Sequence, residues 1–146
     1  MTSTSDVARP YTSDEIKHLE FIQAVVTRLG NSSFLIKGWT MTVGGVFFGV
    51  LVNRLSWQLA AAGLIPVLGF WLLDSHYLRQ ERLFRELYDD VRGRTSGVPP
   101  FAMDVRPYLP RVTLGTVALS RTMMNFYGVI ALVDLVFVAA AVVADR

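Results

Sequence analysis

The sequence has no cysteine, which excludes disulfides, thiolate metal sites and a cysteine nucleophile. Histidine is nearly as scarce, with only His18 and His76 present. No metal-ligand spacing, nucleophile motif or Gly-rich phosphate loop accompanies them, so the residues point to no enzyme, metal or cofactor. Asp74 and His76 lie two apart, and such positions do not share a helix face. Net charge is small, +2 over 146 residues, which argues against a nucleic-acid partner. A cleaved signal peptide is not expected, because the polar opening residues are not closely followed by an apolar run with a small-residue cleavage site. One more absence organises the chain: no glycine or proline separates Leu73 from Val91.

Apolar residues are abundant instead. The chain is 52% hydrophobic with a mean hydropathy of +0.40, too apolar for an ordinary soluble domain of one-domain length. Three apolar runs carry that excess. Residues 34–52 would make a helix of about 28 Å, 57–73 one of about 26 Å and 123–143 one of about 32 Å at the α-helical rise, each close to the thickness of a bilayer core. Trp39, Trp57 and Trp71 lie near run ends, where an aromatic belt belongs. Lys37, one turn inside the first run, is placed to snorkel to headgroups. The fold expected is an all-α integral membrane protein, a single membrane domain with three transmembrane helices.

The rest of the chain divides around these spans. Residues 1–11 read as a disordered tail. Thr12 and Glu15 fit a capping box, and Ile16, Leu19, Ile22, Val26 and Leu29 recur at one-face spacing. That predicts an amphipathic helix over 13–29, stopped at Gly30 and Asn31, with Ser32 and Ser33 capping the next helix. Its charge is slightly acidic, which favours packing against protein over anionic lipid. Asn53 to Ser56 makes a tight hairpin. The second span then continues without a break into a charged helix over 74–91. Tyr77, Phe84, Tyr88 and Val91 form its apolar stripe, with Leu83 and Leu87 beside it. Glu81–Arg85, Arg82–Glu86 and Arg85–Asp89 have the spacing of surface pairs. The stripe can be covered by helix 13–29 or can meet copies of itself as an oligomerisation stalk, although no sustained heptad supports a coiled coil. Residues 92–122 form a basic connection, with Phe101 and Met103 as candidate anchors and 112–122 either helical or extended.

Orientation follows from lysine and arginine. Arg9, Lys17, Arg28 and Lys37 precede or open the first span, and Arg54 alone marks the hairpin. Arg79, Arg82, Arg85, Arg92, Arg94, Arg106, Arg111 and Arg121 lie between the second and third spans, and Arg146 ends the chain. The N-terminus and the long connection are expected in the cytoplasm and the C-terminus outside, in a bacterial inner membrane.

Asp134 is the leading candidate site residue. A carboxylate near the middle of a span costs about 2.5–3.5 kcal/mol on insertion scales. It can be protonated and donate to a neighbouring helix, line an ion path or subunit contact together with Asn125 and Thr42, or relay protons. Pro66 frees the Ala62 carbonyl at similar depth, and Thr40 and Thr42 offer hydroxyls. Gly38, Thr42, Gly45 and Gly49 make a small-residue stripe containing a GxxxG pair. It serves either the hairpin or self-association. Arg92, Arg94, Arg106 and Arg111, opposed in the connection only by Asp104, are candidate contacts for lipid phosphate or a phosphate-bearing ligand.

The segments Trp71–Asp74, Tyr77–Phe84 and Leu87–Tyr88, with Ser120–Thr122 and Phe126–Tyr127, resemble small bacterial inner-membrane proteins in which a helical hairpin leads into a charged helix. These include the SLATT domains of nucleotide-signalling antiphage systems. The likeness spans residues 34–130, and the third span departs from the two-span pattern. The resemblance implies a homo-oligomeric, pore-forming effector in antiphage defence that answers a cytoplasmic protein or nucleotide-type trigger. It carries over no ligand-binding residue. A non-conducting membrane adaptor, docking a partner through its cytoplasmic helices, is the alternative.

Overall fold

A computed structural model of the chain describes residues 10–53, 56–94 and 97–144. Among these residues all regular secondary structure is helical, with no strand: α1 (Ser13–Asn53), α2 (Trp57–Arg92), a short 3-10 turn (Arg106–Tyr108), α3 (Leu114–Ala118) and α4 (Arg121–Ala144). Three of them, α1, α2 and α4, are long and apolar enough to cross a membrane. Arg9, Arg54 and Arg146 of the charge argument fall outside the described residues, as does most of the expected disordered tail. Tyr11, at the end of that tail, is tied down by its hydroxyl donating to the Arg92 carbonyl at 2.7 Å.

The first helix corrects an expectation. The predicted stop at Gly30 and Asn31 does not occur, and α1 runs 41 residues without interruption, about 62 Å. A glycine inside a helix costs only about 1 kcal/mol relative to alanine, and packing on both sides of it outweighs that. Ile22 and Val26 are buried before Gly30, Ile36 and Thr40 after it. The two serines expected as caps work differently: Ser32 donates back to the Arg28 carbonyl at 3.1 Å, and buried Ser33 donates to Asp74. The true N-terminus carries the capping box, with the Thr12 amide donating to Glu15 Oε2 at 2.7 Å and the Glu15 amide to Thr12 Oγ1 at 3.2 Å.

Ser56 starts α2 by accepting from the Leu59 amide at 3.2 Å. The helix then continues through Pro66 and across the Leu73–Asp74 change of character to Arg92, about 54 Å in all. Both α1 and α2 therefore outrun a bilayer core of about 30 Å. Their extra length packs together at one end of the molecule around Ile22, Val26, Leu83, Leu87, Tyr108, Val112 and Val117. Leu83 and Leu87 form the centre, whereas Phe84, Tyr88 and Val91 lie half-buried at its edge. Of the three expected charge pairs, Arg85 reaches Glu81 at 2.6 Å. Glu86 instead meets Arg111 and Asp89 meets Arg92.

The connection wraps this end and returns along α2. Tyr108 donates to Asp90 at 2.9 Å, Arg79 Nε to the Val112 carbonyl at 2.9 Å and Trp71 Nε1 to the Ala118 carbonyl at 3.1 Å. Phe101 leans on His18 with ring centroids 5.7 Å apart, and His18 Nε2 donates to the Ala102 carbonyl at 2.8 Å. Next to this core α4 docks mainly on α2, through Met123 and Tyr127 against Val67, Phe70 and Trp71. Val46, Val50, Ile65, Leu68, Val129, Leu132 and Val136 are exposed around the three long helices. Such an apolar exterior suits hydrocarbon rather than water.

Candidate functional site

Two fully buried carboxylates lie inside the α1–α2–α4 trio, and they differ in one respect. Asp74, 0% exposed, is completely partnered. Lys37 Nζ donates to its Oδ2 at 2.6 Å, the Tyr127 hydroxyl donates to the same oxygen at 3.0 Å, and Ser33 donates to Oδ1. Lys37 also donates to Ser33 Oγ at 2.9 Å. The node therefore ties α1, α2 and α4 together through one carboxylate. Lys37 was expected to snorkel to headgroups. Instead its ammonium turns inward, although its side chain keeps 22% exposure. The alternative would leave Asp74 buried without a counter-charge, which is far costlier than holding one flexible lysine.

Asp134 is 1% exposed, and neither of its carboxylate oxygens has a hydrogen-bond partner among the described residues. The two threonine hydroxyls expected at its depth are engaged elsewhere. Thr40 bonds the Ile36 carbonyl at 2.8 Å, and Thr42, exposed, bonds Gly38 at 3.1 Å. Asp134 sits in a notch on α2 made by Gly63. A Cβ at Gly63 would lie 3.0 Å from Asp134 Oδ1 and 3.1 Å from the Phe47 ring. Beside the carboxylate is a narrow cavity of about 10 Å³, with Thr40, Phe47, Gly63, Pro66 and Phe70 in its wall. Thr40 borders both sites, since it also lies against the Tyr127 hydroxyl. The two carboxylates are thus the ends of one polar seam: Lys37 and Asp74, then Tyr127, Thr40 and Asp134.

The other expected site residues do not join this seam, apart from Pro66 in the cavity wall. Asn125 is exposed, on a shallow groove between α1 and α4 shared with Met41, Gly45 and Val129. Gly38, Gly45 and Gly49 have nothing within 4 Å of where a Cβ would stand, so the stripe is not the packing surface of the hairpin. Gly63, outside the GxxxG pattern, makes the close approach. The four candidate phosphate arginines do not converge. Arg106 is held by Asp104 at 2.8 Å, Arg111 by Glu86 at 3.4 Å, Arg92 by Asp89 at 3.5 Å and Arg94 by Glu15 at 3.4 Å. Arg106 also keeps the Asp104 carboxyl below its ordinary range by hydrogen bonding to it.

Sequence reasoning missed Ser33, Lys37, Asp74 and Tyr127 as a unit. A signal was present, because Lys37 and Asp74 lie at nearly equal chain distance from the Asn53–Ser56 turn, so an antiparallel hairpin brings them level. Tyr127 and Asp134 are one heptad apart, on one face of α4.

No family model, no curated protein and no solved structure matches this chain.

Proposed function

We propose that the chain is a homo-oligomeric channel or membrane-disrupting effector of a bacterial inner membrane. Its N-terminus, the outer ends of α1 and α2 and the basic connection lie in the cytoplasm, and its C-terminus lies outside. The arginine-rich side chains of the connection support this orientation through the positive-inside bias. The resemblance to SLATT-type proteins supports a role in antiphage defence, with a cytoplasmic protein or nucleotide-type trigger.

One observation carries the oligomeric form of the reading. The interior of the protomer is closed around Asp134, with about 10 Å³ of space, less than the room any hydrated ion needs. Conduction therefore has to run between copies. The open stripe of Gly38, Gly45 and Gly49 on α1 gives copies a surface where helix backbones can approach closely.

A specific feature favours the adaptor alternative. The outward face of α1 before the span, including Leu19, Gln23 and Thr27 together with Tyr11 and Tyr88, borders an open groove of about 980 Å³, large enough for a partner helix.

Liposome efflux separates the two. Purified protein reconstituted into dye-loaded vesicles should release dye in proportion to protein, and Gly45→Leu should abolish both release and crosslinked oligomers. Intact vesicles at high protein content, with a monomeric chain in detergent, would remove the channel reading and leave the adaptor.

A further inference from the structure

Among the described residues Asp134 has no counter-charge. No Asp, Glu, Lys, Arg, His or Tyr lines its cavity from α1, α2 or α4 besides itself. Lys37, about one turn before Thr40 on α1, is committed to Asp74 at 2.6 Å. An isolated ionised carboxylate in an apolar interior is so unfavourable that it takes up a positive charge instead. Two occupants have the right chemistry: a proton, or one small metal cation. A hard cation requires several oxygen ligands at short range. Among the side chains lining the cavity only Thr40 could join the carboxylate as an oxygen ligand, its hydroxyl is already bonded to Ile36, and the space is about 10 Å³. The site is shaped for a proton.

We propose that Asp134 is a proton-binding site whose occupancy keeps α4 seated on the α1–α2 hairpin. With the proton bound, the carboxyl fills the Gly63 notch as a neutral group. When the proton leaves, the charge has no partner within the trio, and either water enters along the Thr40 seam or α4 shifts off Gly63. Proton release from Asp134 is thereby coupled to opening of the trio. The inference builds on the membrane-spanning part of the proposed function but does not require conduction.

An apolar carbodiimide tests it directly. The reagent reacts with a protonated carboxyl: the acid proton passes to a carbodiimide nitrogen, the carboxylate oxygen bonds the central carbon, and the adduct rearranges to a stable N-acylurea without a leaving group. Wild-type protein in vesicles is labelled over a pH series and the adduct is located by peptide mass. Asp134 should carry it, and labelling should fall roughly tenfold per pH unit once the carboxyl ionises. Asp74, equally buried but paired with Lys37, should stay unlabelled and serves as the internal control. Sodium at fixed pH should not protect. Asp134→Asn should abolish the label, and the wild-type peptide map decides the matter even if that variant fails to fold. Absence of adduct on Asp134 at every pH, equal labelling of Asp74, or protection by sodium would overturn the proposal. Labelling without dye release keeps the proton site and removes the channel, and dye release without labelling does the reverse.

Discussion

Removing the Asp74 carboxylate should unfasten three helices at once. In Asp74→Ala the Lys37 ammonium, the Ser33 hydroxyl and the Tyr127 hydroxyl all lose the acceptor they now share. Breaking a buried ion pair by deleting one partner costs about 3–5 kcal/mol, because the remaining charge stays desolvated. Lys37 retains 22% exposure and can swing toward headgroups, so the lower end, about 3 kcal/mol, is expected. At about 2–4 °C per kcal/mol for a chain of this size, the unfolding midpoint should fall by roughly 6–12 °C. Tryptophan fluorescence during thermal unfolding in detergent reads this, since Trp71 lies one turn from Asp74 on α2.

A double-mutant cycle makes the argument sharper. Lys37→Met alone should also destabilise, because it strands the carboxylate. Lys37→Met combined with Asp74→Leu removes both charges and fills the space, and should recover more than half of the loss of the worse single variant. Residues in one network couple by about 0.5–3 kcal/mol, whereas independent sites add to within about 0.5 kcal/mol. An additive double variant, or an Asp74→Ala midpoint unchanged from wild type, would refute the reasoning that this node fastens the trio.

Three further outcomes follow from other parts of the molecule. Gly30→Ala should raise stability by about 0.5–1 kcal/mol, because the added methyl meets Glu81 Oε2 at an ordinary 3.6 Å; a lowered midpoint on chemical denaturation would mean α1 bends or stops there. Gly63→Ala should cost about 1–3 kcal/mol by overpacking, against a gain of about 0.5–1 kcal/mol for Gly45→Ala, whose methyl meets nothing within 4 Å and which gains the same helix propensity as Gly30→Ala; equal effects of the two on thermal stability would contradict the notch. Burial, aided by the hydrogen bond to Asp90, pushes the Tyr108 hydroxyl up to about 12. The folded state thus holds this proton more tightly than the unfolded one, so its stabilisation is whole below pH ~10 and is lost as pH rises from there toward and through ~12. The phenolate absorbance of wild type minus Tyr108→Phe should have its midpoint near pH 12, and a difference spectrum centred near pH 10 would count against it.

The three apolar helices were legible because a bilayer sets their length, and residue counting alone finds runs of that length. The capping box at Thr12 and Glu15 was legible for a similar reason, since its two hydrogen bonds depend on residues three apart. Gly30 was misleading. Glycine followed by asparagine is a sound local stop signal, but the choice at that point was made by α2, which presents a continuous surface to both halves of α1. The arginines were misleading in another way. Their clustering in the connection suggested contacts with lipid phosphate or a phosphate-bearing ligand, and what it did not show is that Arg92, Arg94, Arg106 and Arg111 each lie beside a carboxylate; no spacing rule tells which of several nearby acids an arginine will take.

The two buried carboxylates show most clearly where pattern stops being informative. Asp134 stood out because its neighbours in sequence are apolar, and its burial could be inferred from them. Asp74 looked like the first residue of a charged, solvated helix, because its sequence neighbours on one side are charged. Its burial is caused by residues distant in the chain: Ser33 and Lys37 reach it because α1 does not stop at Gly30, and Tyr127 reaches it because α4 begins just beyond the connection that Trp71 holds through Ala118. Hydropathy reports what a residue's neighbours in sequence prefer, whereas the dielectric around a carboxylate is set by its neighbours in space. The same distinction separates their chemistry. Asp74 has a cation and two hydroxyls that hold its charge in place, so it fastens the helices. Asp134 has none among the described residues, so on the proposal above the loss of its proton is answered by water entering along the Thr40 seam or by α4 moving off Gly63.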